Sequence, residues 1–152
     1  MYMNSKQAEE MLSAAVKSAH TICVRDVMTS DVKTMGPHDA FGAAISLMAN
    51  HQFRHFVVTE ADGRVVGVVS DRDILRSFAR TSDWKTLDVS RIMTSEPITV
   101  KPETPLAEAV AQMVAKRINC LPVVADDGTL RGILTSTDLL MSYQTLLESC
   151  EK

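Results

Sequence analysis

The sequence predicts an α+β fold: two tandem β-α-β-β-α units packed face to face about a pseudo-twofold axis, with an added N-terminal helix. Three observations carry this. The chain matches itself without a gap, Val27–Leu75 lying over Ile92–Leu140. Within each copy, short β-branched runs alternate with apolar residues at helical spacing. Each copy also places an Asp-Gly pair between two apolar runs, Asp62-Gly63 and Asp127-Gly128. Gly tolerates the positive φ that a hairpin turn needs.

The match is dense. Met28-Thr29-Ser30 falls on Met93-Thr94-Ser95, Thr34 on Thr99, Pro37 on Pro102, Ala44 on Ala109 and Met48 on Met113. Val58, Gly67, Asp73 and Leu75 fall on Val123, Gly132, Asp138 and Leu140. In each copy an extended piece (Lys33–Met35; Ile98–Val100) leads to a helix with Asp39 or Thr104 at its N-cap and Pro105 at the first helical position. Phe41, Ile45 and Met48, like Leu106, Val110 and Met113, recur at helical spacing. Strands are expected over Phe56–Glu60 and Leu121–Ala125, with return strands over Arg64–Val69 and Leu130–Leu134. A second helix starts at Ser70 or Thr135.

This divides the chain into an N-terminal helix (1–22), a first repeat (23–80), a polar linker (81–88), a second repeat (89–142) and a helical tail (143–152). Ala8, Met11, Leu12, Ala15 and Ala19 form one stripe of the first helix. Tyr143, Leu146 and Leu147 give the tail more apolar surface than a solvated end needs, which predicts packing against the N-terminal helix or a second subunit. One repeat would bury too little surface to be stable alone. Two packed face to face enclose a cleft between equivalent loops.

Bulk properties narrow the function. The chain has 152 residues, 45% of them hydrophobic, enough for a real core. The net charge of -3, with both signs mixed along the chain, argues against nucleic acid as the main partner. Cys23, Cys120 and Cys150 form no CxxC pair, so reduced thiols in the cytoplasm are expected. No apolar run approaches the ~20 residues of a membrane helix, and Met1–Glu10 lacks a signal-peptide core.

The sharpest local feature is Gly67-Val68-Val69-Ser70-Asp71-Arg72-Asp73, repeated as Gly132-Ile133-Leu134-Thr135-Ser136-Thr137-Asp138. A buried strand runs straight into a helix N-terminus, where free N–H groups and the dipole favour an anion such as phosphate. Asp73 and Asp138, one turn in, can accept hydrogen bonds from a pair of sugar hydroxyls. The same Ser/Thr-x-x-Asp spacing also reads as a capping box. The two readings are compatible, because a cap can open to receive a ligand.

These segments, with Val27-Met28-Thr29, Ile92-Met93-Thr94, Thr99-Val100-x-Pro102, Leu121-Pro122-Val123-Val124 and the Asp-Gly turns, resemble the cystathionine-β-synthase (CBS) domain pair, or Bateman module. The resemblance covers roughly Val24–Leu140. It implies an adenine nucleotide (AMP, ADP or ATP) in the cleft, with S-adenosylmethionine and NADH as further candidates. It places Ser70 and Asp73, and Thr135 and Asp138, on phosphate and ribose, with Asp71, Arg72, Ser136 and Thr137 beside them. It sets Arg54, His55, Phe56 and Val57, and Asn119, Cys120, Leu121 and Pro122, near the base. Thr29, Val32 and Thr34 match Thr94, Pro97 and Thr99 in the same role. The first repeat departs from the pattern at Phe56-Val57-Val58, where Pro122 has no counterpart. It has more cations instead: Arg54, His55 and Arg72.

The resulting expectation is a stand-alone regulatory homodimer, not an enzyme, passing ligand occupancy to a separate regulated protein. The alternative is a ligand-free dimerisation or interaction module. His51 and His55 have the i, i+4 spacing of metal ligands, but the helix is expected to end near Gln52, between them. Asp71 and Asp73 suit Mg²⁺ only through bound phosphates. Walker, GxGxxG and GxSxG motifs are absent from the sequence.

Overall fold

The computed structural model describes residues 6, 9–10, 21–51 and 53–150. The expected N-terminal helix lies outside the described residues, apart from Lys6, Glu9 and Glu10, which are helical.

The first repeat forms β1 (Thr34–Met35), α1 (Phe41–His51), β2 (His55–Thr59), β3 (Val65–Ser70) and α2 (Asp71–Arg80). The second forms β4 (Thr94–Ser95), α3 (Leu106–Lys116), β5 (Cys120–Val124), β6 (Leu130–Thr135) and α4 (Ser136–Cys150). β1 runs parallel to β2, which requires a crossover, and α1 supplies it. β2–β3 and β5–β6 are hairpins with the same register irregularity in each. Gly63 and Gly128 turn them, both with φ of 83°. The helices start later than expected. Asp39 and Thr104 do not cap them but accept from the N–H groups of Gly36 (2.8 Å) and Lys101 (3.1 Å), tightening the preceding loop. Pro105 is the N-cap itself rather than the first helical residue. The piece over Ile98–Val100 makes a single parallel bridge, Val100 to Val123, rather than a strand.

The repeats do not close on themselves. β4, which opens the second repeat, pairs with β3 of the first, Thr94 opposite Val68 and Ser95 opposite Gly67. Thr29, at the start of the first repeat, exchanges two 2.9 Å backbone hydrogen bonds with Ile133 of β6. The exchange reaches the cores. Val24 is fully buried with Val100, Ala109, Met113, Leu121, Val123 and Leu134 of the second repeat. Its equivalent, Val89, is fully buried with Met35, Phe41, Ala44, Phe56, Val58, Val69 and Ile74 of the first. Burying one valine contributes about 1.5–3 kcal/mol. A third cluster, Val57, Cys120 and Ile133, joins the two sheets. The hairpin tips meet symmetrically: Val65 N–H donates to the Gly128 carbonyl and Leu130 N–H to the Gly63 carbonyl, each at 3.1 Å.

Two glycines permit the exchange. A Cβ on Gly132 would lie 2.8 Å from the Thr29 carbonyl and 2.7 Å from Met28 Sδ. A Cβ on Gly67 would meet the Met93 side chain as its nearest neighbour. Backbone cannot give way as a thioether can. We therefore expect Gly132→Ala to cost about 1–3 kcal/mol in urea unfolding, and Gly67→Ala to cost less.

Candidate ligand-binding site

The exchanged segments wall a cleft of about 1180 Å³ between the N-terminal ends of α2 and α4. Both helix starts are built alike. Ser70 is the N-cap of α2: its N–H (2.8 Å) and hydroxyl (2.7 Å) donate to Asp73 Oδ2, and Asp73 N–H donates back to Ser70 Oγ at 3.3 Å. Thr135 and Asp138 repeat this at 2.7, 2.6 and 3.3 Å. Asp71 N–H is taken by the Arg54 carbonyl and Ser136 N–H by the Asn119 carbonyl, both at 3.0 Å. That leaves the N–H groups of Arg72 and Thr137 as the helix-start donors not taken by the caps, open to an acceptor in the cleft.

The carboxylates differ in their second oxygen. Asp138 Oδ1 accepts from Thr29 Oγ1 at 2.7 Å, a bond between the repeats. Asp73 Oδ1 instead lies 3.8 Å from the Arg76 guanidinium. Burial pushes the imidazole of His55 below its ordinary value of 6.5, against the opposing pull of Asp71 and Asp73. Its charged form is thereby disfavoured. Burial also pushes the Cys120 thiol from 9.0 up to about 12, with Asp73 adding to the shift.

Of the residues singled out from sequence, Thr29, Val32, Arg54, His55, Ser70, Asp71, Arg72 and Asp73 line the cleft. So do Thr94, Pro97, Asn119, Cys120, Thr135, Ser136, Thr137 and Asp138. Six do not. Phe56, Val57, Leu121 and Pro122 are fully buried within the sheets, because helices cover one face of each hairpin and the opposite repeat covers the other. Thr34 and Thr99 are exposed away from the cleft wall. Residues missed from sequence include Asp31, Lys33, Phe53, Arg76, Glu96, Ile98, Arg117 and Met141. Arg76 and Met141 had a readable signal: each lies three residues past its aspartate, on the same helix face. His51 closes α1 and stacks on Phe53, while His55 opens β2, so the helical i, i+4 spacing is not realised.

The CBS domain family matches residues 24–80 and 89–144. The chain belongs to it. CBS domain-containing protein YhcV of Bacillus subtilis is 36% identical over 123 residues, covering 80% of this chain and 86% of that protein. Inosine-5'-monophosphate dehydrogenase of Methanocaldococcus jannaschii is 31% identical over 126 residues, covering 83% of this chain and 23% of the enzyme. The chain thus spans about a quarter of the length of the archaeal enzymes it matches. Among solved structures, the Vibrio cholerae protein described as an acetoin utilization protein (AcuB) superposes with a TM-score of 0.79 at 31% identity, covering 87% of this chain and 97% of that one. CBSX2 of Arabidopsis thaliana, solved in complex with AMP, gives 0.73 at 29% identity over 82% of this chain and 97% of its own.

Two outcomes follow from this geometry. Thr29→Val removes the donor to Asp138 at nearly constant volume and should lower stability by about 0.5–1 kcal/mol. Thr94→Val should change it less, since among the described residues the Thr94 hydroxyl has no hydrogen bond. Cys120, held protonated, should react more slowly with iodoacetamide at pH 8 than exposed Cys150, as read by peptide mass spectrometry of the native protein.

Proposed function

We propose that this CBS pair is a non-catalytic regulatory module that binds an adenine nucleotide or related adenosyl ligand in the cleft. The observation that carries the reading is the pair of Ser/Thr-x-x-Asp helix starts opening on one cavity, each with a spare N–H and a carboxylate one turn behind it. A phosphate suits the N–H and the dipole; a vicinal diol suits the carboxylate. The AMP complex of CBSX2, similar over most of this chain, supports adenosine as the ligand core. Asp73 and Asp138 serve as capping acceptors, which suits binding better than acid–base chemistry.

Both walls carry segments from both repeats, so a ligand touching a helix start and the segment laid across it favours one spacing of the repeats over another. Occupancy then reaches a partner as a shift in that spacing. Residues exposed on α4 (Leu140, Met141, Tyr143, Leu146 and Leu147) offer apolar surface for self-association or for that partner. They also favour a second reading, an interaction module whose cleft stays empty.

Calorimetric titration with AMP, ADP, ATP, S-adenosylmethionine and NADH separates the two. At least one should bind and stabilise the fold, by about 2.7 kcal/mol at a hundredfold excess over Kd. Asp73→Asn retains a capping acceptor but offers one fewer oxygen to the diol, and should weaken binding about tenfold with little change in Tm; Asp138→Asn also loses the acceptor for the Thr29 hydroxyl and should lower Tm as Thr29→Val does. If none of the five ligands binds, the empty-cleft reading gains.

A further inference from the structure

The chain enters the two repeats in the same way. Ahead of the second repeat, Phe41 N–H at the start of α1 donates to the Leu87 carbonyl (3.0 Å) and Val89 N–H donates to the Asp39 carbonyl (2.9 Å). Ahead of the first, Leu106 N–H at the start of α3 donates to the Ile22 carbonyl and Val24 N–H to the Thr104 carbonyl, both at 2.9 Å. Each entering segment is thus pinned to the helix start of the opposite repeat. Upstream of Leu87 the chain makes a short turn, Trp84–Thr86, which brings Trp84 onto the first core and against Phe78 of α2, with ring centroids 6.2 Å apart. In the repeat register Phe78 falls on Tyr143 and Trp84 falls on Ala19.

α2 has 10 residues and ends where the chain turns back to deliver Trp84, whereas α4 has 15 and runs on to Cys150. Leu139 of α4 packs on the second core. Tyr143, Leu146 and Leu147 continue its face at i+4, i+7 and i+8, yet they are 58%, 58% and 47% exposed. Cys150, also exposed, closes the stripe. An apolar face that starts in a core and emerges from it marks a contact surface. The chain ahead of Thr21 carries a match. Ala8, Met11, Leu12, Ala15 and Ala19 share one helical face, and Lys6, Glu9 and Glu10, from the opposite side of that pattern, are helical and exposed. With Ala19 set against Tyr143, a helix running back along α4 puts Leu12 about 10 Å away, which is also the helical distance from Tyr143 to Cys150. Its small residues let two helices approach closely. A second copy could offer its own apolar face, but a tethered segment is present at about millimolar effective concentration, so the contact within one chain forms first.

We propose that residues 5–19 form a helix that lies antiparallel on the Tyr143–Cys150 stripe of its own chain, in the place that the Trp84 turn takes on Phe78. The stretch from Ser5 to Thr29 then holds α4 at both ends, at its start through the Thr29–Asp138 hydrogen bond and at its far end through the stripe. Leu140 and Met141 lie off this face and remain available to a partner. The inference does not depend on the ligand.

Disulfide trapping on the full chain tests it. The variants L12C and K6C, each retaining native Cys150, are oxidised with diamide, and the products are read by intact mass and by peptide mass spectrometry. A disulfide needs Cα atoms within about 7 Å of each other, so L12C should bond to Cys150 inside one chain about tenfold faster than K6C does. Adding C150S should abolish that bond. If L12C links to Cys150 chiefly between two chains, a second copy covers the face and the proposal is overturned. If L12C links to Cys150 no faster than K6C does, the segment lies elsewhere and the proposal is equally overturned. Hydrogen exchange gives an independent reading that needs no cross-link. M11D/L12D should speed exchange of the amides of Gln144–Cys150 about tenfold and leave those of β5 unchanged. Unchanged exchange at Gln144–Cys150 would also overturn the proposal.

Discussion

Each hydrophobic core in this chain is completed by a residue from the other repeat. Val24 fills the second core and Val89 the first, each fully buried. The exchange is possible because Gly67 and Gly132 leave room on their strands for Met93 and Met28 to cross. Everything at the cleft depends on this crossing. It lays Thr29 to Lys33 beside the α4 start and Thr94 to Ile98 beside the α2 start. The site is thus formed by the same contacts that hold the repeats together, and the spacing of its two walls is tied to the packing of both cores.

The sequence displayed the architecture well and the exchange not at all. The gapless self-match, the two Asp-Gly turns and the strand-to-helix motifs located the hairpins and the helices that follow them to within a residue or so. Self-similarity, however, says which residues are equivalent and not which copy they pack against. Met28-Thr29 and Met93-Thr94 fit either sheet by pattern, and chain connectivity decides between them. The helix starts were misplaced for a local reason: Asp39 and Thr104 are good capping residues whose side chains fold back on the loop before the helix.

The site was legible where its chemistry is local. Ser70, Asp73, Thr135 and Asp138 could be read from spacing, because a capping box closes over three residues. Phe56, Val57, Leu121 and Pro122 were placed on the cleft by resemblance, yet their side chains are buried. Strands covered on both faces read as continuous apolar runs, and no alternation marks a residue that faces a ligand. Cleft residues contributed by the opposite repeat, such as Lys33, Glu96 and Ile98, owe their position to the crossing, which no local pattern encodes. The closed caps also limit ligand binding: a diol reaching Asp138 meets an oxygen already bonded to Thr29, so ligand and inter-repeat contact compete for one carboxylate.

The crossing bears on how such a chain can arise. Severed in the polar stretch before Val89, it would yield two halves, each with a core lacking the valine and following apolar residues of the other, and an apolar segment lacking a bed. Because the register is the same in both, two copies of either half could lend each other what is missing. A twofold pair of single-repeat chains and one two-repeat chain are then the same set of contacts. Gene duplication with a short connector turns one into the other without moving a core residue, and frees the two helix starts, once identical by symmetry, to diverge.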